Sequence, residues 1–146
     1  MRPTGKINLI AVVILAGLAG GFWWLLNYSG AYLDNLDVRD AVKGAYNSAW
    51  HEPDSQLAFE IKNKVNSSQV GWHEEENQFG QMEKKRGLGL GDEEIHVERD
   101  DVAKTITITV AYKRKVYLWP WPNKNNVRWV NFTETKTGPI KSPEAW

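Results

Sequence analysis

Basic and aromatic side chains gather in the last third of this 146-residue chain, and they are the residue types best suited to holding a ligand. Cationic groups attract phosphates and carboxylates, and indole rings stack on flat groups or lie among lipid headgroups. A structural interpretation competes, in which the rings close one end of a small core. The sequence predicts a ligand or partner surface made of Lys113, Arg114, Lys115, Trp119, Trp121, Lys124, Arg128 and Trp129.

Side chains arranged for catalysis are not apparent in the sequence. The three histidines, His51, His73 and His96, include no pair spaced four apart on a helix as in zinc proteases. No serine stands in a nucleophile elbow. Cysteine does not occur, which excludes disulfides and thiolate metal ligands. We therefore predict that the protein is not an enzyme and uses no cofactor and no metal ion.

The segment Ile7–Leu26 contains no charged residue, and Arg2 and Lys6 stand just before it. Twenty helical residues rise about 30 Å, which is about the thickness of the hydrocarbon core of a bilayer. The sequence predicts a transmembrane helix over residues 7–28 that serves as an uncleaved signal anchor.

Basic residues before such a helix favour a cytoplasmic amino terminus. Residues 1–6 are therefore predicted to be cytoplasmic and residues 29–146 extracytoplasmic, in a single-pass protein of the inner membrane. Amphipathic rings are favoured at the far headgroup level, where we expect an aromatic belt of Trp23, Trp24 and Tyr28.

Two alternatives remain for the amino terminus. A cleaved signal peptide would end its apolar core near Gly17–Ala19, but the apolar run continues well beyond that point. A pilin-like start is indicated by Gly5 before Lys6 and the apolar helix, which resembles a type IV prepilin. Such subunits carry a glutamate at the fifth mature position, where this chain has Ile10.

Small residues within the anchor form a stripe that lets a second helix approach closely. Small residues are also common in membrane helices without any such role. The packing hypothesis predicts self-association, or docking on a partner helix, through Ala16, Gly17, Gly20 and Gly21.

Charge divides the remainder of the chain into two parts. Residues 34–101 carry sixteen acidic and eight basic side chains, while residues 104–146 carry eight basic and two acidic ones. Acidic helices packed beside a basic sheet would explain this. A basic face directed at lipid phosphates, an anionic glycan or an acidic partner would explain it as well.

Periodicity predicts the elements of a two-layer α+β domain. A break at Asn27–Gly30 should end the membrane helix, and a helix at Val38–Trp50 and another at Ser55–Val65 should follow. Strands are predicted around Ile95–Val97, from Ile106 to Leu118 and at Val127–Thr135. The fold predicted is therefore an N-terminal transmembrane helix followed by two helices on a three-stranded antiparallel sheet.

Residues 71–92 are predicted to be an exposed loop. Glu74, Glu75 and Glu76 precede a basic run and four glycines, and apolar residues are too few and too irregular for a core. The stretch Gly87–Gly91 is not expected to hold phosphate, because no strand precedes it and no helix follows it.

The plan of the chain resembles an uncharacterised family of short, membrane-anchored proteobacterial envelope proteins. The likeness rests on the prepilin-like start, the two helical stretches and the segment Val97–Leu118, in which a strand ends near a tyrosine and basic residues lead on. It covers most of the chain except residues 71–92. The resemblance implies an envelope location and supplies no catalytic residues.

We expect a non-catalytic accessory or scaffold subunit that acts through protein contacts. The alternatives are a module that binds the membrane surface, peptidoglycan or another anionic ligand, and a pilin-like filament subunit. The expected partners are the lipid bilayer, other membrane or envelope proteins and a second copy of the chain. Nucleic acid is not expected, because the domain would lie on the other side of the membrane.

Overall fold

A computed structural model of the protein describes residues 8–67 and 70–141. Its elements are α1 (Leu9–Ser48), α2 (Asp54–Ser67), β1 (Trp72–Glu76), β2 (Met82–Arg86), a short 3-10 turn (Asp92–Glu94), β3 (Ile95–Asp100), β4 (Thr105–Tyr117) and β5 (Val127–Pro139). The predicted α+β class is confirmed. The basic start at residues 1–6 lies outside the described residues.

Helix α1 is a single helix of 40 residues, in which the apolar segment predicted to be the anchor continues directly into the domain. Asn8 caps its start, since its side-chain oxygen accepts a hydrogen bond from the backbone N–H of Ile10. From Leu9 to Leu26 every residue is exposed except the half-buried Trp23. The helix is long and apolar enough to cross a membrane.

The break predicted at Asn27–Gly30 is wrong, and so is the separate helix at Val38–Trp50. Asn27 is buried inside the helix, where its amide makes hydrogen bonds, and Gly30 has open space beside it. Glycine weakens a helix without ending it when the neighbouring turns are stabilised by packing.

The core lies between the two helices and the inner face of the main sheet. In β4, residues with their side chains inward alternate with threonines on the outer face, as the period of two predicts. Helix α2 matches the second predicted helix closely. The most deeply buried side chains are Val38, Val42, Leu57, Ile61, Val65, Ile106, Ile108 and Val110.

The main sheet has the order β3-β4-β5 and is antiparallel throughout. Strand β3 pairs with β4 only from Thr105 to Val110, so the second half of β4 lacks a partner from β3 on that edge. Strand β5 pairs with the whole of β4, from Thr105 opposite Pro139 to Tyr117 opposite Val127. The sheet is therefore two-stranded at the end nearer to Tyr117.

A second antiparallel sheet covers residues that were predicted to be a loop. Strands β1 and β2 form a hairpin in which Glu74 faces Lys84 and His73 faces Lys85. Strand β2 is exposed, as predicted, but it is a regular strand where the sequence predicts a loop. The prediction that this segment adds nothing to the core is also wrong, since Leu88 and Leu90 are buried against the domain.

Arg99 holds the turn between α1 and α2. Its Nε donates to Asp54 Oδ1 at 2.8 Å, and its two terminal nitrogens donate to the carbonyls of Ala49 and Glu52 at 2.9 Å each. Carbonyls left open at the helix end are thereby satisfied by a cation, which the helix dipole also favours. The contact ties β3 to the helical layer.

Candidate functional site

The loop between β4 and β5, residues 118–126, is attached to helix α1 where the exposed anchor ends. The indole N–H of Trp23 donates to the carbonyl of Trp119 at 2.8 Å. Asn27 donates from Nδ2 to the carbonyl of Trp23 at 2.7 Å and accepts from the backbone N–H of Trp119. Two side chains on successive turns of α1 thus hold one residue of the loop by its backbone.

Asparagine side chains give this β4–β5 loop its own shape. The Nδ2 of Asn126 donates to the carbonyls of Leu118 and Trp121 at 3.1 and 3.2 Å. The Oδ1 of Asn123 accepts from the N–H groups of Asn125 and Asn126. Despite this order, the side chains of Trp119 and Trp121 are 56 % and 74 % exposed.

Aromatic rings connect the anchor to the sheet. Trp24 stacks on Tyr28 with their centroids 5.8 Å apart, and Tyr32 lies 5.6 Å from Trp24. Tyr32 then meets Phe132 of β5 edge-on at 5.3 Å. Of the predicted belt, Trp23 therefore contacts the loop, while Trp24 and Tyr28 begin a row of rings; their place in headgroups stays a prediction.

Gly17 and Gly20 of the predicted anchor lie on the same side of α1 as the domain. Residues eighteen apart in an α-helix face the same direction, since they are separated by about five full turns. Val38, eighteen after Gly20, is fully buried in the core, and Asn35, eighteen after Gly17, bonds to the sheet. The stripe of Ala16, Gly17, Gly20 and Gly21 is exposed, and a Cβ on any of its glycines would meet no other described residue within 4 Å outside its own stretch of helix.

A cleft of about 300 Å³ lies between the β1–β2 hairpin and the second half of β4. Trp72 stacks on Tyr117 at a centroid distance of 5.9 Å. Glu74 accepts hydrogen bonds from Lys115 Nζ, at 2.7 Å, and from the hydroxyl of Tyr117. These hydrogen bonds lower the pKa of the Glu74 carboxyl and raise that of the Lys115 ammonium.

Arg114 is the one charged side chain that is buried within the described residues, at 7 % exposure. Its Nη2 bonds to Asp34 Oδ2 at 2.8 Å, which links β4 to α1. Burial nevertheless raises the pKa of Asp34 and outweighs the attraction of Arg114. The pair thus fixes the position of the strand more than it stabilises the fold.

One nitrogen of Arg114 is left without a hydrogen bond. Nη1 is buried and has no acceptor among residues 8–67 and 70–141. The guanidinium also lies over the ring of Trp72, at 5.4 Å from its centroid, and Arg114 is among the residues that line the cleft. A buried N–H group without a partner is costly and marks a place where an acceptor can bind.

Further cations surround the cleft. Lys84 Nζ lies 4.4 Å above the ring of Trp72, and Lys115 Nζ lies 5.8 Å from that of Trp129. Lys113 is exposed and forms no ion pair with any residue that the structure describes. Lys113 and Trp129 also line a second hollow of about 460 Å³, so these two side chains lie between the two depressions.

The predicted ligand surface is therefore divided between two places. Lys113, Arg114, Lys115 and Trp129 line the cleft, whereas Trp119, Trp121 and Lys124 belong to the β4–β5 loop. Arg128 lies at the start of β5, opposite Val116. The hairpin side of the cleft, with Trp72, Glu74 and Lys84, was missed because the segment was predicted to be a loop. Its signal was the run of three glutamates that precedes the cluster Lys84, Lys85 and Arg86.

The histidines are dispersed. His51 lies beside Glu52 in the α1–α2 turn, and His96 is exposed on β3. The Nδ1 of His73 is 2.8 Å from the carbonyl of Gly87, to which it donates. Within residues 8–67 and 70–141, no cluster of three or more histidine or carboxylate side chains could hold a metal ion.

Comparison of the chain with protein-family models, curated proteins and solved structures found no match. The resemblance to an uncharacterised envelope family therefore stays a prediction.

Proposed function

We propose that this protein is a single-pass, membrane-anchored envelope protein that acts as a non-catalytic accessory or scaffold subunit. In this proposal the amino terminus is cytoplasmic and the domain lies outside the inner membrane. The observation that carries it is the unbroken helix α1, whose first half is bare while its second half belongs to the core of the domain. A domain joined in this way keeps a constant height and orientation relative to the bilayer.

Exposed apolar residues beyond the anchor support a role in protein contacts. Tyr32, Leu33 and Leu36 lie on α1 after the anchor ends, and about half or more of each side chain is exposed. Neighbouring apolar side chains three apart on a helix form a continuous patch, and such patches mark contact sites. A partner that also contacts the bare anchor would bury both.

Site-specific crosslinking in intact cells tests this role. A photoreactive residue at Leu36 should capture a defined protein that also co-purifies with the unlabelled chain in mild detergent. The control is the same residue at Val102, which is 96 % exposed in the turn between β3 and β4. Capture at both positions alike, or isolated monomers only, would contradict the proposal.

The orientation is tested separately. A reporter that is active only outside the cytoplasm, fused after the last residue, should be active, and one that fluoresces only in the cytoplasm should be dark. The reverse pattern would contradict the topology without bearing on the protein contacts.

A second candidate function is the binding of an anionic ligand in the cleft. It is favoured by two groups that lack a partner among the described residues, Arg114 Nη1 without a hydrogen-bond acceptor and Lys113 without an ion pair, and by the rings of Trp72 and Trp129. Carboxylates and phosphates accept the hydrogen bonds that these groups donate. The ring faces would hold a flat or apolar part of the ligand.

Sedimentation with two kinds of particle separates the sources of such an anion. Binding to peptidoglycan sacculi and binding to anionic vesicles are compared for the wild type and for Lys113→Ala, with Lys43→Ala on the exposed face of α1 as the control. We expect one particle to bind, with weaker binding for Lys113→Ala and at high salt. Equal binding by both variants would exclude the cleft.

The third alternative, a pilin-like filament subunit, depends on processing. Cleavage after Gly5 would support it, and this position lies outside the described residues.

A further inference from the structure

The β4–β5 loop lies at the height at which the exposed anchor ends. Helix α1 rises about 21 Å from Leu9 to Trp23 and about 27 Å to Asn27. The hydrocarbon core is about 30 Å thick, so a helix that enters it near Leu9 brings Asn27 to about 3 Å and Trp23 to about 9 Å from the opposite headgroup layer. Trp119 is hydrogen-bonded to both of them and so shares their height.

The contacts along α1 confirm which end of the sheet is near the anchor. Phe132 packs on Tyr32, Glu134 bonds to Asn35, and Pro139 accepts a hydrogen bond from Tyr46. Strand β5 therefore runs along α1 in the same direction, away from the loop. The turn between β3 and β4 is at the far end, where Ile140 bonds to Lys104.

The composition of the loop suits a headgroup layer. Trp119 and Trp121 expose most of their rings, and amphipathic rings are favoured at this depth. Pro120 and Pro122 carry no backbone N–H, so fewer donors need a partner when water is scarce. Lys124 at the tip adds a cation of the kind that approaches lipid phosphates.

We propose that the β4–β5 loop enters the headgroup layer of the bilayer that its own anchor spans. The rings of Trp119 and Trp121 lie among the headgroups, and Lys124 is within reach of their phosphates. This inference rests on the proposed membrane anchoring. It adds a second point of attachment, which limits the tilt of the domain relative to the bilayer.

The absence of cysteine from the chain allows a probe to be placed at single positions. Trp121→Cys carries an environment-sensitive fluorophore in the full chain reconstituted into vesicles. The side chain is 74 % exposed, so its replacement leaves the packing of the domain intact. The matched control is Val102→Cys in the turn between β3 and β4, exposed at the far end of the sheet.

Nitroxide lipids labelled at the headgroup should quench the probe at position 121 strongly and the probe at position 102 hardly at all. Equal quenching at the two positions would overturn the inference. So would a probe at 121 that is shielded from water yet unaffected by nitroxide lipids, because a protein or a second copy would then cover the loop.

Extraction with alkaline carbonate distinguishes failure of the inference from failure of the anchoring. A chain that stays with the membrane while position 121 is not quenched retains its anchor but has a loop that remains in water. A chain that is released contradicts the anchoring itself and, with it, the inference. In vesicles that contain anionic lipid, Lys124→Ala should reduce the quenching at position 121.

Discussion

The side chain of Arg114 occupies the space in which a side chain on Gly71 would stand. A Cβ at position 71 would lie 2.1 Å from Arg114 Nη1 and 2.9 Å from Asp34 Oδ2. Gly71 also has a φ of +61°, which residues other than glycine rarely adopt. The backbone just before the hairpin therefore lies against an ion pair that requires glycine beside it.

The first prediction follows for Gly71→Ala. The left-handed backbone and the displacement of Arg114 together should lower the free energy of unfolding by about 2–4 kcal/mol. Chemical denaturation of the full chain in detergent measures this value.

Gly80→Ala is the matched control for Gly71→Ala. Gly80 has a φ of +75°, but a Cβ there would meet only Glu76 Oε1 at 3.5 Å. The Gly80→Ala variant should lose about 1 kcal/mol in the free energy of unfolding, which is the cost of placing alanine in a left-handed backbone conformation. Equal losses for the two variants would show that Arg114 does not fill the space beside Gly71.

The second prediction concerns the dependence of stability on pH through Glu74. Hydrogen bonds from Lys115 and Tyr117 lower the pKa of this carboxyl below its ordinary value of 4.5. A carboxyl whose pKa is lower in the folded state stabilises the fold at pH values above its ordinary pKa. This stabilisation is lost as the pH falls through the lowered pKa. Glu74→Gln should therefore be less stable than the wild type at neutral pH, and the difference should shrink below pH 4.5.

Thermal unfolding between neutral and acid pH measures that difference. Glu76→Gln is the control, because Glu76 is exposed at the end of the same strand. A constant gap between the wild type and Glu74→Gln across the whole pH range would contradict the role of the ionised carboxyl.

The main sheet could be predicted from the sequence because its residues report directly on burial. In β4 the threonines alternate with Ile106, Ile108 and Val110, and one face of a strand is buried while the other meets water. Helix α2 is equally clear, since Leu57, Ile61 and Val65 follow one face. These elements bury apolar surface, which leaves a pattern in the sequence.

The hairpin and the continuity of α1 could not be predicted, because tertiary contacts decide them. Strands β1 and β2 are held by opposite charges and by Trp72 stacking on Tyr117, which leaves no apolar alternation. In the sequence, Asn27 indicates the end of a helix. In the structure, however, its side-chain oxygen accepts a hydrogen bond from the backbone N–H of Trp119, a residue 92 positions away. Only the β4 and β5 side of the cleft could be predicted for the same reason, since the other wall comes from the hairpin.

The third prediction tests the hydrogen bond between Trp23 and Trp119. Trp23→Phe keeps an aromatic ring but removes the indole N–H, so the carbonyl of Trp119 loses its donor. We expect faster amide hydrogen exchange in residues 118–126 and a loss of about 1 kcal/mol in the free energy of unfolding. Hydrogen exchange followed by mass spectrometry measures the first effect.

Trp24→Phe provides the control for that measurement. The Trp24→Phe substitution removes the same side-chain volume as Trp23→Phe, but the Trp24 ring stacks on Tyr28 and does not bond to the loop. Exchange in the loop that is accelerated equally by both variants would mean that the hydrogen bond does not hold the β4–β5 loop on α1.

The fourth prediction concerns the bare stripe beneath the domain. A Cβ on Gly17 or Gly21 would meet no heavy atom of the described residues within 4 Å outside its own stretch of helix, so a side chain there disturbs no packing that the structure describes. Replacing both with isoleucine should weaken self-association or docking on a partner helix, because a branched side chain keeps the two backbones apart. A two-hybrid assay in the membrane measures the association, with Leu15→Ile and Leu18→Ile on other parts of the helix as the control. If the glycine variants associate as strongly as the wild type, the stripe plays no part in helix packing and its small residues reflect only the composition of a membrane helix.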